Sequence, residues 1–158
     1  MRLEKDYKDF FEVLNKNEVK YCIVGAVAVT LHGYPRYTKD VDILIEPKRE
    51  NAQKLLKAIK DFGFESLDIN ENDILKKDNI IQLGYEPIRI DLIMAIPGFE
   101  FEQIWEHKKV TKVDNVEINY IGLDELIKTK SISALEPERK KDLIDVEALK
   151  KIKSKETD

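Results

Sequence analysis

Residues 24–47 read VGAVAVTLHGYPRYTKDVDILIEP. A glycine follows one apolar run, a loop intervenes, and Asp40 and Asp42 then stand one residue apart in a second apolar run. On a strand, positions i and i+2 point to the same face, about 6.6 Å apart along the chain. Asp40 and Asp42 then project side by side, while Val41 and Ile43 face the other way. At an effective dielectric near 20, two carboxylates ~6 Å apart repel by roughly 3 kcal/mol. A strand among apolar neighbours keeps such a pair when a cation neutralises it. Downstream, Ile88-Arg89-Ile90-Asp91-Leu92-Ile93-Met94 is another β-branched run with one carboxylate inside it. Laid beside the first strand, it brings Asp91 to roughly 5 Å from the pair. Three oxygen donors on adjacent strands suit Mg²⁺. Two such ions about 3.5–4 Å apart could clamp the attacking and leaving oxygens of an in-line phosphoryl displacement.

A chain of 158 residues forms one domain and can bury ~70% of its unfolded surface. Hydrophobic residues make up 42% and charged residues 37%, the balance of an ordinary water-soluble globular protein. With 27 basic and 31 acidic residues the net charge is −4, so no global basic field recruits nucleic acid, although a local basic groove stays open. Cys22 has no second cysteine to pair with and reads as a small buried hydrophobe, which fits a reducing, cytoplasmic setting. The N-terminus lacks the apolar centre of a signal peptide, and residues 23–31 fall far short of the ~20 needed to span a bilayer.

In chain order, Leu3, Tyr7, Phe10, Phe11 and Leu14 mark an amphipathic helix. Residues 21–24 form a strand that delivers Gly25 to a short helix over 26–32, ended by Gly33 and Pro35. A glycine at a helix start leaves N–H donors open to phosphate oxygens and lets them approach closely. After the strand of Asp40 and Asp42, Pro47 fits a helix's first turn, with Ala52, Leu55, Leu56, Ile59 and Phe62 inward and Gly63 at its end. Residues 64–69 read as a strand and 70–79 as a polar loop. Residues 80–83 and 88–94 form a hairpin around 84–87. Helical turns follow at Phe101, Ile104 and Trp105, then a hairpin around Asp114-Asn115. A helix begins at Leu123, and Pro137 opens another with Leu143, Ile144, Leu149 and Ile152 inward. The lysine-rich end from 150 onward frays. The fold class is α/β, a mixed sheet with flanking helices: a core over about 18–122, C-terminal helices over about 123–152 and a frayed tail at 153–158.

Gly25-Ala26, Asp40-x-Asp42 and the distal Asp91 resemble the nucleotidyltransferase (DNA polymerase β-like) superfamily. The fuller run, Gly25-Ala26-x-Ala28, His32-Gly33-x-Pro35-Arg36-x-Thr38-x-Asp40-x-Asp42, is similar to the branch with AbiEii-type toxins and small antibiotic nucleotidyltransferases. Leu126-Ile127, Lys130, Arg139, Lys141-Asp142 and Asp145 resemble that branch's closing helices. The resemblance spans about 21–149. It implies transfer of a nucleoside monophosphate from an NTP to a hydroxyl on an acceptor that the sequence leaves open: tRNA, protein or small molecule. Mg²⁺ or Mn²⁺ would be the cofactor, two ions at Asp40, Asp42 and Asp91, which are both the catalytic and the metal-ligating residues. A toxin role with an antitoxin partner also follows from the resemblance.

The nucleotide-binding candidates are Gly25, Ala26, Arg36, Thr38, Lys130 and Lys141. Gly25 would meet phosphate at the helix start. Arg36 is either an ordinary loop cation or, with its loop folded over the site, a phosphate contact. Thr38 reads more readily as a brace on the loop or an aspartate. Lys130 and Lys141 enter through the resemblance and otherwise read as solvated helix charges. Asp142 and Asp145 either join the site or pair with Arg139 or Lys141. His32 reads as a helix-end residue, and His107 and Trp105 have no site partners. This chain has Gly25-Ala26 where the family usually has Gly-Gly or Gly-Ser, so a serine hydroxyl is missing. That departure motivates an alternative, a non-catalytic nucleotide- or partner-binding module. A third reading of Asp-x-Asp, as a glycosyltransferase metal motif, calls for a larger nucleotide-sugar domain.

Overall fold

The computed structural model describes residues 4–64, 68–85 and 88–156. Helix α1 (Lys5–Lys16) leads into strand β1 (Tyr21–Val24), helix α2 (Gly25–Leu31), strand β2 (Asp40–Ile45) and helix α3 (Arg49–Phe62). Helix α4 (Glu71–Leu75) and the strands β3 (Ile80–Tyr85) and β4 (Ile88–Ile93) follow. The remainder is α5 (Phe101–Glu106), β5 (Lys109–Val113), β6 (Val116–Tyr120), α6 (Leu123–Ser133), a 3₁₀ turn (Pro137–Arg139) and α7 (Asp142–Glu156). The strands make one mixed sheet in the order β3-β4-β2-β1-β6-β5. The α/β expectation with a mixed sheet holds.

Strand β1 sits inside the sheet, and all four of its residues are buried. It pairs antiparallel with β2 and parallel with β6. Strand β2 pairs on its other edge with β4, in parallel, and β4 pairs antiparallel with β3. Helix α1 packs on α3 and reaches β6 and β4, with Phe10, Phe11 and Leu14 fully buried. The Phe10 ring meets Phe62 edge-on and Phe11 stacks on Tyr21. Asn51, buried in α3, clamps the outer ends of β1 and β2. Its amide accepts from the Lys20 N–H at 2.7 Å and donates to the Lys20 and Glu46 carbonyls at 3.0 and 3.1 Å.

Several local expectations need correction. The polar run at 70–79 contains α4, because Asn70 and Asp73 form a reciprocal capping box. Pro47 precedes the N-cap Lys48 instead of lying in the first turn of α3. Of the strand expected over 64–69, residues 65–67 lie outside the described residues, and Phe64, Asp68 and Ile69 are not in a strand. Leu3 and the turn residues Glu86 and Pro87 also lie outside them. Pro137 opens the 3₁₀ turn, and α7 starts at Asp142. Leu143 and Ile144 are exposed, not inward. The side of α7 that packs inward is Asp142, Asp145, Val146 and Leu149, an i, i+3, i+4, i+7 stripe led by two acids. Helix α7 runs on to Glu156, so the described part of the lysine-rich stretch is helical, and residues 157–158 lie outside the described residues. No helix among the described residues is long and apolar enough to cross a membrane.

Candidate active site

The centre of the sheet delivers the acids. In the β1–β2–β4 register Asp42 lies opposite Val24 on one side and Asp91 on the other. Strand alternation turns Val41, Ile43 and Ile45 into the core, all at most 1% exposed, and leaves Asp40 and Asp42 on the opposite face. One carboxylate oxygen from each of Asp40, Asp42 and Asp91 lies within 4.8 Å of the others. Thr38 sits two residues before Asp40, and its hydroxyl donates to the Asp40 carboxylate at 3.0 Å. Burial, then the Asp40 charge, then that of Asp91 push the Asp42 carboxyl up to about 7, against Lys130 and Arg139.

Gly25 makes the crowding possible. Its φ is +70°, and a Cβ there would overlap the Asp42 carboxylate oxygen. The Asp42 side chain therefore lies directly against the backbone where β1 turns into α2. The loop that follows α2 is tied back by Thr30, whose hydroxyl accepts from the Arg36 N–H at 3.1 Å and donates to the Ala26 carbonyl at 3.3 Å.

These residues form the floor of a cleft of about 730 Å³, which the C-terminal helices wall with cations. Gly25, Ala26, Arg36, Thr38, Lys130 and Lys141, drawn from distant parts of the chain, all line it, as do the three aspartates. Lys130 is only 7% exposed, and its ammonium lies 3.5 Å from Asp142 and 3.0 Å from Asp145. Arg36 is ion-paired with Asp145, and Arg139 reaches Asp142 at 2.9 Å. Asp142 pairs with Arg139 and also lines the cleft. Arg36 and Lys130 thus reach the cleft already held by buried carboxylates. One oxygen of Asp145, Oδ1, is buried without a hydrogen-bond partner.

Arg89 escaped the reading of the sequence. It lies two residues before Asp91 on the same face of β4, and its guanidinium straddles that carboxylate with two bonds of 3.0 Å. It also stands 3.9 Å from Asp40. Its place two residues before Asp91 is itself a sequence signal, since i and i+2 on a strand share a face. The apolar lip of the cleft, Ile80, Ile93, Ile96 and Pro97, is likewise not among the site candidates of the sequence. His32 bonds the Ile121 carbonyl at 2.7 Å and plays a structural part.

Solved structures share this fold. The candidate nucleotidyltransferase TM1012 from Thermotoga maritima matches with a TM-score of 0.58 at 15% identity, over 85% of this chain and 88% of its own. The lincosamide antibiotic adenylyltransferase LnuA, solved with lincomycin bound, gives 0.57 at 17% identity, over 96% and 98%. ANT(2″)-Ia, solved in complex with adenylyl-2″-tobramycin, gives 0.56 at 12% identity, over 94% and 91%. Likeness at such identities is a likeness of fold, and the fold is that of nucleotidyltransferases, small antibiotic-modifying ones among them. No curated protein matches the chain. The family model described as "Nucleotidyl transferase of unknown function (DUF2204)" matches residues 3–157, and the chain belongs to that family.

Proposed function

We propose that the chain is a metal-dependent nucleotidyltransferase that moves a nucleoside monophosphate from an NTP to a hydroxyl of its acceptor. The observation that carries this reading is the convergence of Asp40, Asp42 and Asp91 within 4.8 Å, at the floor of a cleft whose wall bears Arg36, Lys130, Arg139 and Lys141. The donor set fits a hard divalent cation. All its atoms are carboxylate oxygens, and the Asp42 carboxyl is raised by burial first and then by the charges of Asp40 and Asp91, both of which a bound cation offsets.

Asp40, Asp42 and Asp91 would hold one or two Mg²⁺ or Mn²⁺ ions, which neutralise phosphate charge and ease removal of the acceptor proton. The chain's own residues do the positioning. Thr38 fixes the Asp40 carboxylate, and Gly25 leaves the space that Asp42 occupies. Gly25 and Ala26 line the cleft where the triphosphate would lie, with Arg36, Lys130 and Lys141 supplying positive charge around it. The acceptor oxygen forms its bond to the α-phosphorus as the bond to the β-phosphate oxygen breaks, and pyrophosphate leaves. Fixed charge and alignment supply most of the acceleration in such a site. The acceptor is a tRNA end, a protein side chain or a small molecule, and a toxin role with an antitoxin partner fits the same donor chemistry.

Incubation with each labelled NTP, Mg²⁺ or Mn²⁺ and a total cell extract tests the proposal. The wild type should label one fraction and release pyrophosphate, and Asp42→Asn should do neither. Undiminished labelling by Asp42→Asn would refute it. A second reading rests on Arg89, whose fork engages both oxygens of Asp91, together with Ala26 in place of serine. It makes the domain a binding module, and nucleotide binding without pyrophosphate release would favour it.

A further inference from the structure

We infer that Arg89 is a resident counter-cation of the aspartate cluster, one that holds the three carboxylates together and that a divalent ion must displace from Asp91 in order to bind. The inference rests on the metal-site reading above and goes beyond it. Three carboxylates on neighbouring strands, with oxygens within 4.8 Å, repel one another unless positive charge lies among them. Among the described residues, Arg89 supplies charge at hydrogen-bond distance from Asp91. Its Nε and Nη2 donate to both Asp91 oxygens at 3.0 Å, and Nε lies 3.9 Å from Asp40. Of the other cations that line the cleft, Lys130 and Arg36 are paired with Asp145 and Arg139 with Asp142.

Charge makes the fork and the ion competitors. The bidentate guanidinium takes a lone pair on each Asp91 oxygen and sets its positive charge beside the cluster. An ion bound among Asp40, Asp42 and Asp91 brings two further positive charges against that guanidinium, and the repulsion opens the fork. The Arg89 side chain is 36% exposed and can swing, whereas Asp91, at 10%, cannot. The strand itself is held independently, because the Tyr7 hydroxyl donates to the Arg89 carbonyl at 3.2 Å, a bond that a side-chain substitution leaves in place. Arg89 is therefore a positioning residue: it organises the three carboxylates and weakens their affinity for metal.

Calorimetric titration of the full chain with Mn²⁺ alone, no nucleotide present, tests this. Arg89→Gln should bind Mn²⁺ about tenfold more tightly than the wild type, equivalent to about 1.4 kcal/mol. In chelator it should melt below the wild type, and saturating Mn²⁺ should close most of that gap. Arg89→Lys keeps the charge but loses the fork, and should fall between the two in Mn²⁺ affinity. Unchanged affinity in Arg89→Gln overturns the inference. So does weakened affinity, by the 10–100-fold expected of a residue that orients a ligand. Absence of Mn²⁺ binding by the wild type would instead remove the metal-site reading on which the inference rests.

Discussion

At the scale of single residues, the cleft is made by two side chains competing for one space. Asp42 lies where the side chain of residue 25 would be, and glycine resolves the conflict. Gly25→Ala should therefore cost about 1–2 kcal/mol for a methyl forced into the left-handed region, and should push the Asp42 carboxylate out of the cluster. Urea denaturation would report the first effect and loss of Mn²⁺ binding the second. Asp42 also carries a pH signature. Its carboxyl moves from 3.8 in the unfolded chain to about 7 in the fold, so folding favours the protonated form. That stabilisation is complete below pH 4 and is lost as pH rises through 7. The metal-free protein should lose on the order of 2 kcal/mol between pH 5 and pH 8 on this account. Melting curves in chelator should show the slope in the wild type and its absence in Asp42→Asn.

At the scale of elements, the site depends on joints far from it. Asn51 ties the start of β1 and the end of β2 to α3, at the opposite end of both strands from the aspartates. Asn51→Ala removes the side-chain acceptor of the part-buried Lys20 N–H and one of the donors to each of the Lys20 and Glu46 carbonyls. It should destabilise the fold by about 1–3 kcal/mol, measured by urea denaturation, while a folded fraction keeps its Mn²⁺ affinity. The elements differ in how far they could be read from sequence. The carboxylate strands were legible because a period of two in a β-branched run admits one interpretation, and the Asp114-Asn115 hairpin because both residues take the positive φ that its turn needs. Helix α4 was hidden, since its cap residues Asn70 and Asp73 also suit a loop. The orientation of α7 was misread for a physical reason. Hydrophobic periodicity assumes that apolar residues face inward, but here Lys130 and Arg36 recruit Asp142 and Asp145 instead, and Leu143 and Ile144 turn outward.

At the scale of the molecule, two layers of opposite character meet across the cleft: a sheet that presents acids, and a helical C-terminal segment that presents cations. The second layer is itself held by buried charge, with Lys130, Asp142 and Asp145 all at most 7% exposed. Burial of ions is tolerated only while each has its partner. Lys130→Met should cost about 3 kcal/mol and loosen α7 from α6, detectable as faster amide exchange along both helices. Sequence patterns pick out the three acids and six further residues that line the same cleft. They did not reach the pairing that holds those candidates in place, because ion pairs between residues 36, 130, 139, 142 and 145 are a product of tertiary closure and leave no local trace.

That closure has an order in time. The acids at positions 40, 42 and 91 leave the ribosome before α7, which brings the carboxylates that restrain Lys130 and Arg36. A nascent chain halted before residue 142 can pair its central strands yet lacks the last wall of its cleft. Translation thus completes the cleft only once α7 has emerged, and a stalled chain released at that length should not retain a labelled NTP on a filter that retains it with the whole chain.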